Sequence, residues 1–348
     1  MTRNSAEGAP IVDAAEAAPE ADLSVRLGSL RLRNPVMPAS GCFGPQLAPL
    51  VDLNQLGALV TKTVFADRRA GNPAHRLDET PHGMLNSVGI PSPGIDAFLA
   101  DVLPRYLAWS PPTVVSLGGL MVEEYWHLAE HLAAADPQRR IGAFELNVSC
   151  PNLEEGGLEI GSDPRLVERV TRGVVERSHV PVIVKLTPNV TSIAEIALAA
   201  ESGGATALTV ANTFVGMTID VRARTPVLGN GVGGLSGPAV HPLILRLAWT
   251  TARAVHIPVI GCGGIASGHD AIAFLIAGAS AVQVGTATFT RPDAMLRILA
   301  ELAALLDDLG ARSVSEIVGS VRTESRPPPQ PELTFAHDPP AATQLTST

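Results

Sequence analysis

A few side chains of types that are otherwise rare here carry most of the chemistry that this chain could do. Of its 25 basic residues only two are lysines, Lys62 and Lys185, and the rest are arginines. An ammonium is a compact charge that fits against a carboxylate or an electron-rich ring edge where a flat guanidinium fork does not, so each retained lysine marks a place that needs one. There are three cysteines, Cys42, Cys150 and Cys262. A buried apolar filler role suits Cys42 and Cys262. Cys150 stands apart, set between Ser149 and Pro151 with Asn147 and Asn152 close by. A thiol in such surroundings serves as nucleophile or as base. A nucleophile normally has a histidine or a cation to lower its pKa, and none of the motif loops carries a histidine, which favours proton abstraction over acyl transfer.

Amides and glycines form the second group. Asn86, Asn147, Asn152 and Asn212 offer paired donors and acceptors that suit a planar, uncharged lactam or carboxamide, although turn chemistry explains any one of them alone. The loop Asn86-Ser87-Val88-Gly89-Ile90-Pro91-Ser92-Pro93-Gly94 is long and stiffened by two prolines, as a segment covering a site would be. Gly261-Cys262-Gly263-Gly264 and Gly285-Thr286 present backbone N–H groups ahead of helices, the makings of a phosphate cradle, with Ser236-Gly237 nearby. A dinucleotide fingerprint is the competing reading of Gly261-x-Gly263-x-x-Ala266, but no acidic residue ends the following strand. Gly229-x-Gly231-x-x-Gly234 matches the same pattern without a clear strand before it. His75 and His82 flank Asp78 and Glu79 at spacings that put no ligand set on one face, so no metal is expected.

Positioning these groups requires strands that end where the motifs begin. Short β-branched runs at 36–39, 58–64, 113–117, 144–148, 182–186, 207–211, 259–261 and 281–284 alternate with helical patterns near 47–56, 95–108, 122–135, 163–178, 191–202, 238–255, 267–277 and 292–308. Asp163-Pro164, Ser236-Gly237-Pro238 and Arg291-Pro292-Asp293 are helix-start signals. Eight strand-then-helix units predict an α/β fold, a (β/α)8 TIM barrel of parallel strands, in preference to an open doubly wound sheet. Every polar motif falls just after a strand, where barrel enzymes hold their sites. The expected organisation is a disordered N-terminal tail over 1–22, a barrel over 23–312 and a Pro-rich, disordered C-terminal tail over 313–348.

Composition narrows the partners. A net charge of −9 opposes a phosphate backbone, so no nucleic acid is expected. Three dispersed cysteines give no disulfide framework and too few thiolates for an iron–sulfur cluster. The 20 charge-free residues 271–290 read as a buried helix running into a buried strand rather than a membrane span. No secretory signal pattern opens the chain, and a cytoplasmic protein is expected.

Taken in order, NPVMPASGCFG, VTKTV, RAGNPAHR, GMLNSVGIPSPG, ELNVSCPN, VKLTPN, ANTFVGMTID, GGLSGPA, IGCGGI and VQVGTA resemble the class 1 dihydroorotate dehydrogenases, more closely the NAD-linked 1B catalytic subunit, over about residues 23–310. The resemblance implies an FMN-dependent oxidation of dihydroorotate to orotate in pyrimidine biosynthesis, with Cys150 as general base and hydride passing to flavin N5. It implies catalytic and substrate roles for Lys62, and substrate contacts at Asn86, Ser87, Val88, Gly89, Ile90, Asn147, Asn152, Asn212 and Thr213. Cofactor contacts fall on Ala39, Ser40, Gly41, Lys62, Thr63, Ser116, Asn147, Lys185, Ala211 and Gly237, and the phosphate on Gly263, Gly264, Gly285 and Thr286. Lys185 would face the N1/O2 edge of the flavin, where reduction builds up negative charge. A homodimer and, for a 1B-like enzyme, a separate FAD and [2Fe–2S] subunit are also implied. The alternatives are a related flavin barrel acting on another dihydropyrimidine, or a fumarate-linked dihydroorotate dehydrogenase. His241 stands where relatives often have lysine and is expected to be peripheral.

Overall fold

A computed structural model describes residues 21–148 and 160–323. Eight parallel strands form one sheet: β1 (Val36–Pro38), β2 (Leu59–Val60), β3 (Thr113–Leu117), β4 (Ile141–Asn147), β5 (Val182–Lys185), β6 (Ala207–Val210), β7 (Val259–Cys262) and β8 (Ala279–Val284). From β2 to β8 each pairs with its neighbour in chain order, and β8 pairs back onto β1, which leaves β1 and β2 as the two ends of the sheet. Gly57 N–H donates to Val36 O at 2.8 Å and draws β2 against β1, so the sheet is a nearly closed barrel.

The outer ring comprises α1 (Leu103–Tyr106), α2 (Val122–Ala135), α3 (Pro164–Val175), α4 (Ile193–Ser202), α5 (His241–Ala254), α6 (Gly268–Ala277), α7 (Ala287–Thr290) and α8 (Ala294–Asp308). Local chemistry starts several of them. Asp163 caps α3 by accepting from Arg165 N at 2.8 Å, ahead of Pro164, and Ser192 and Ser267 cap α4 and α6. The helix expected near 47–56 is instead two short 3-10 turns, Pro45–Leu47 and Leu53–Gln55. Pro49 between them has no N–H to give a continuous helix. The charge-free stretch resolves into α6 and β8, and among the described residues no helix is long and apolar enough to cross a membrane.

Two apolar cores follow from the two faces of the strands. The outer one packs helices on the sheet through Val115, Phe144, Leu208 and Phe274. The inner one fills the barrel with Met37, Val60, Val114, Ala143, Ile183, Ala207, Ile260 and Ala281. A hairpin of Val25–Leu27 and Leu30–Leu32 joins this inner core through Leu27 and Leu32. So does a short helix, Val314–Ile317, whose Val314 and Ile317 are buried, while Val314 N–H donates to Asp22 O at 3.0 Å. The packed domain therefore continues past residue 312, because these side chains seal the end of the barrel opposite the motif loops.

Candidate active site

Side chains alternate along a strand, so the residue two positions beyond each inner-core residue also faces inward. Val60 leads to Lys62, Val114 to Ser116, Ala143 to Glu145 and Asn147, Ile183 to Lys185, Ala207 to Thr209 and Ala211, Ile260 to Cys262, and Ala281 to Gln283 and Gly285. The apolar filling thus gives way to a polar layer toward the C-terminal ends of the strands.

Thr63 is the hub of the mouth. Its Oγ1 lies 2.9 Å from Ser116 Oγ and 3.3 Å from Ser40 Oγ, and accepts from Asn147 Nδ2 at 3.2 Å. Asn212 Nδ2 reaches Asn147 Oδ1 at 3.4 Å, and Thr213 N–H donates to Asn212 Oδ1 at 2.9 Å. Residues from the ends of β1, β2, β3, β4 and β6 therefore meet in one hydrogen-bonded cluster. Lys62 is exposed beside it, and a Cβ on Gly41 would lie 3.5 Å from Lys62 Nζ. The surrounding walls partly strip water from this ammonium, and with Arg76 they hold its pKa below the usual lysine value, the Cys42 sulfur acting the other way.

Lys185 lies deeper, only 5% exposed, with Nζ donating to Gln283 Oε1 at 2.8 Å. Burial pulls its pKa down, but the Cys262 sulfur and the Glu145 carboxylate outweigh that, and the net displacement is upward. Burial also raises the Cys42 thiol to about 11 and lifts that of Cys262, so neither is poised as a base near neutral pH. Cys150 and Asn152 lie outside the described residues; β4 and Val148 deliver the chain to this mouth just before them.

The glycine motifs converge. Gly264 adopts φ +70°, and a Cβ there would come within 2.7 Å of His241 N and Cβ. Thr286 Oγ1 donates to Ser236 Oγ at 2.8 Å, and a Cβ on Gly237, at φ +99°, would meet Gly83 Cα at 2.7 Å. Gly285 packs beside Ala39 and Cys42. Close approach at glycine thus keeps the loops after β7 and β8 together with the segment that opens α5. The His241 ring turns to Phe274 edge-on and toward Asp270, so it is the backbone of this residue that borders the loop.

Patterning gave no sign of the sheet that roofs the mouth. Leu77–Thr80 and Gly83–Asn86 form a hairpin, which pairs through Gly233–Ser236 with Phe214–Gly216. It carries Asn86, whose Nδ2 donates to Gly234 O at 3.3 Å. Ser87, Val88 and Gly89 lie against Asn72, which donates through N–H to Val88 O at 3.0 Å and through Nδ2 to Ser87 O at 2.9 Å. Ile90 holds φ +45°, a left-handed conformation that costs a β-branched residue about 1–3 kcal/mol. Sequence reasoning also missed Glu145 and Thr209, each one polar residue inside an apolar strand run.

The donor set fits a flavin mononucleotide: glycine loops at helix starts for a phosphate, hydroxyls and amides for a heteroaromatic ring, and a buried ammonium for its electron-rich edge. The dihydroorotate dehydrogenase family model matches residues 22–306. Over 299 residues the chain is 48% identical to the dihydroorotate dehydrogenase B (NAD(+)) catalytic subunit of Anoxybacillus flavithermus, covering 85% of this chain and 95% of that protein. The proteins of the same name from Alkaliphilus oremlandii and Geobacter metallireducens are 46% and 47% identical, covering 86% of this chain and 99% and 98% of theirs. With the barrel and its mouth in place, these matches show that the chain belongs to the dihydroorotate dehydrogenase family, on the NAD-linked 1B branch.

Proposed function

We infer that the chain is the catalytic subunit of an FMN-dependent dihydroorotate dehydrogenase that oxidises dihydroorotate to orotate in pyrimidine biosynthesis. The observation that carries the site assignment is the cluster of Thr63, Asn147 and Asn212 beside Lys62, which presents amides and one ammonium to a small planar acid. When bound, FMN accepts the hydride. The work of the chain is to hold the substrate: Lys62 pairs with its carboxylate, while Asn86, Asn147, Asn152 and Asn212 take its ring amides, with Thr213 and Ser87–Ile90 closing over it. Cys150, a few residues past Asn147, takes the C5 proton. Ala39, Ser40, Gly41, Thr63, Ser116, Lys185, Ala211 and Gly237 bound the flavin, and Gly263, Gly264, Gly285 and Thr286 its phosphate.

The relatives are named as catalytic subunits, which supports a partner subunit here. We assign that partner an FAD and a [2Fe–2S] cluster, since three cysteines cannot hold a cluster on this chain. Family analogy further supports a homodimeric core, and sparse cysteine usage supports a cytoplasmic location. The test is the visible spectrum of the purified protein followed by anaerobic dihydroorotate. FMN should be present and should bleach; a protein that neither retains nor takes up FMN, or whose flavin ignores dihydroorotate, overturns the reading.

A further inference from the structure

Glu145 is fully buried in the middle of β4, and the substrate and cofactor contacts assigned above make no use of it. Its Oε2 accepts from Gln283 Nε2 at 2.5 Å and from Thr209 Oγ1 at 2.9 Å, while Oε1 has no hydrogen-bond partner among the described residues. Gln283 in turn accepts from Lys185 Nζ at 2.8 Å. The order of donors and acceptors along this chain is fixed. A carboxylate can only accept, so Gln283 must turn its NH2 to Glu145 and its carbonyl to Lys185. A neutral amide at position 145 could still accept from the Gln283 NH2, but it would remove the negative charge from the network.

We propose that Glu145 is a positioning residue of the redox site: acting through Gln283, its carboxylate is the counter-ion that holds the Lys185 ammonium in place for the edge of the flavin and so sets the reduction potential of the cofactor. This rests on the FMN reading above. A lone buried carboxylate is costly in a barrel floor unless it serves a charge, and the nearest cation on its network is Lys185. The groups facing Lys185 are Cys42 after β1, Glu145 on β4, Gln283 on β8 and Cys262 on β7. Burial raises the pKa of both thiols, and Glu145 is the one carboxylate among these groups.

Because the chain has only two lysines, lysine-labelled holoprotein gives two side-chain NMR signals, and Lys62→Met assigns them. In the wild type the Lys185 ammonium should persist to higher pH than that of Lys62. In Glu145→Gln it should titrate at lower pH than in the wild type, and the flavin midpoint potential should gain an inflection at that same pH, falling on the alkaline side. Gln283→Leu, which cuts the bridge and leaves the carboxylate, should show the same inflection and carries the test if Glu145→Gln does not fold. In a Lys185→Met background neither change should add a pH-dependent shift. Flavin that binds and bleaches normally, with a Lys185 titration and potential profile unmoved by either variant, overturns the proposal and leaves the assigned activity standing. An inflection that survives in Lys185→Met also overturns it. Failure to bind FMN at all would instead refute the activity.

Discussion

Gly264→Ala tests whether the phosphate cradle depends on close backbone approach. Gly264 sits at φ +70°, where an L side chain costs about 1–2 kcal/mol. Its new Cβ would also lie 2.7 Å from His241 N, a backbone atom at the start of α5 that cannot rotate aside. Relief requires the loop after β7 to move by several tenths of an ångström, and overpacking of this kind costs about 1–3 kcal/mol. Folding should therefore lose about 2–5 kcal/mol in total. Displacing one N–H from a phosphate removes a charge-assisted hydrogen bond of about 1.5–3 kcal/mol, or roughly 10- to 150-fold in FMN affinity. Gly310→Ala is the control, since Gly310 has φ +67° but nothing within 4 Å of its Cβ position. It repeats the backbone strain without the collision and far from the cradle. Titrating FMN into the apoprotein and following quenching of flavin fluorescence gives the affinities, and thermal melts of the apoproteins give the stability term. If Gly264→Ala binds FMN within about threefold of wild type, the phosphate does not depend on that approach and the cradle is misplaced.

Three further outcomes follow from the proposed roles of Cys150 and Lys62 and from the packing of Ile317. Cys150→Ala should abolish rapid flavin reduction by dihydroorotate in stopped flow while FMN stays bound, and Cys150→Ser should keep slower reduction that improves at higher pH, because a hydroxyl is the weaker base; unimpaired reduction in Cys150→Ala would remove it from that role. Crowding lowers the Lys62 pKa, so the ammonium is lost at lower pH than in a free lysine, and orotate affinity should fall as pH rises through that lowered value. Calorimetry should show proton uptake on orotate binding in that range, and Lys62→Met should flatten the profile; a wild-type affinity that is flat up to pH 10 contradicts the pairing of Lys62 with the carboxylate. Ile317→Ala, in the helix that seals the barrel end, should cost about 2–5 kcal/mol in denaturant unfolding with FMN affinity unchanged, whereas a neutral result would return residues beyond 312 to the tail.

Periodicity located all eight barrel strands, because β-branched runs bounded by turn residues are a local signal and the side-chain alternation is built into the backbone. It gave way at 47–56, where Pro49 broke an apparently helical pattern, and at the roof of the mouth, where Leu77–Thr80, Gly83–Asn86 and Gly233–Ser236 carry acids or glycines in place of a β-branched run. Pairing between Gly83–Asn86 and Gly233–Ser236 spans about 150 residues of chain, a distance no local pattern can encode.

The motif residues and their order were legible because chemistry at a strand end needs particular side chains: two ammonium groups in a chain of arginines, amides in sets, glycines before helices. Membership of the family followed from them. Which of these groups touch was settled by the closing of the barrel. Thr63 became the hub of Ser40, Ser116 and Asn147 because barrel closure brings the ends of separate strands within hydrogen-bond reach. Glu145 was invisible as a single acid in an apolar run; its meaning appeared when closure set β4, β6 and β8 around one floor and placed its carboxylate, through Gln283, in contact with Lys185. A buried charge requires a partner, and in this protein that partner lies on another strand, 40 residues away in the chain.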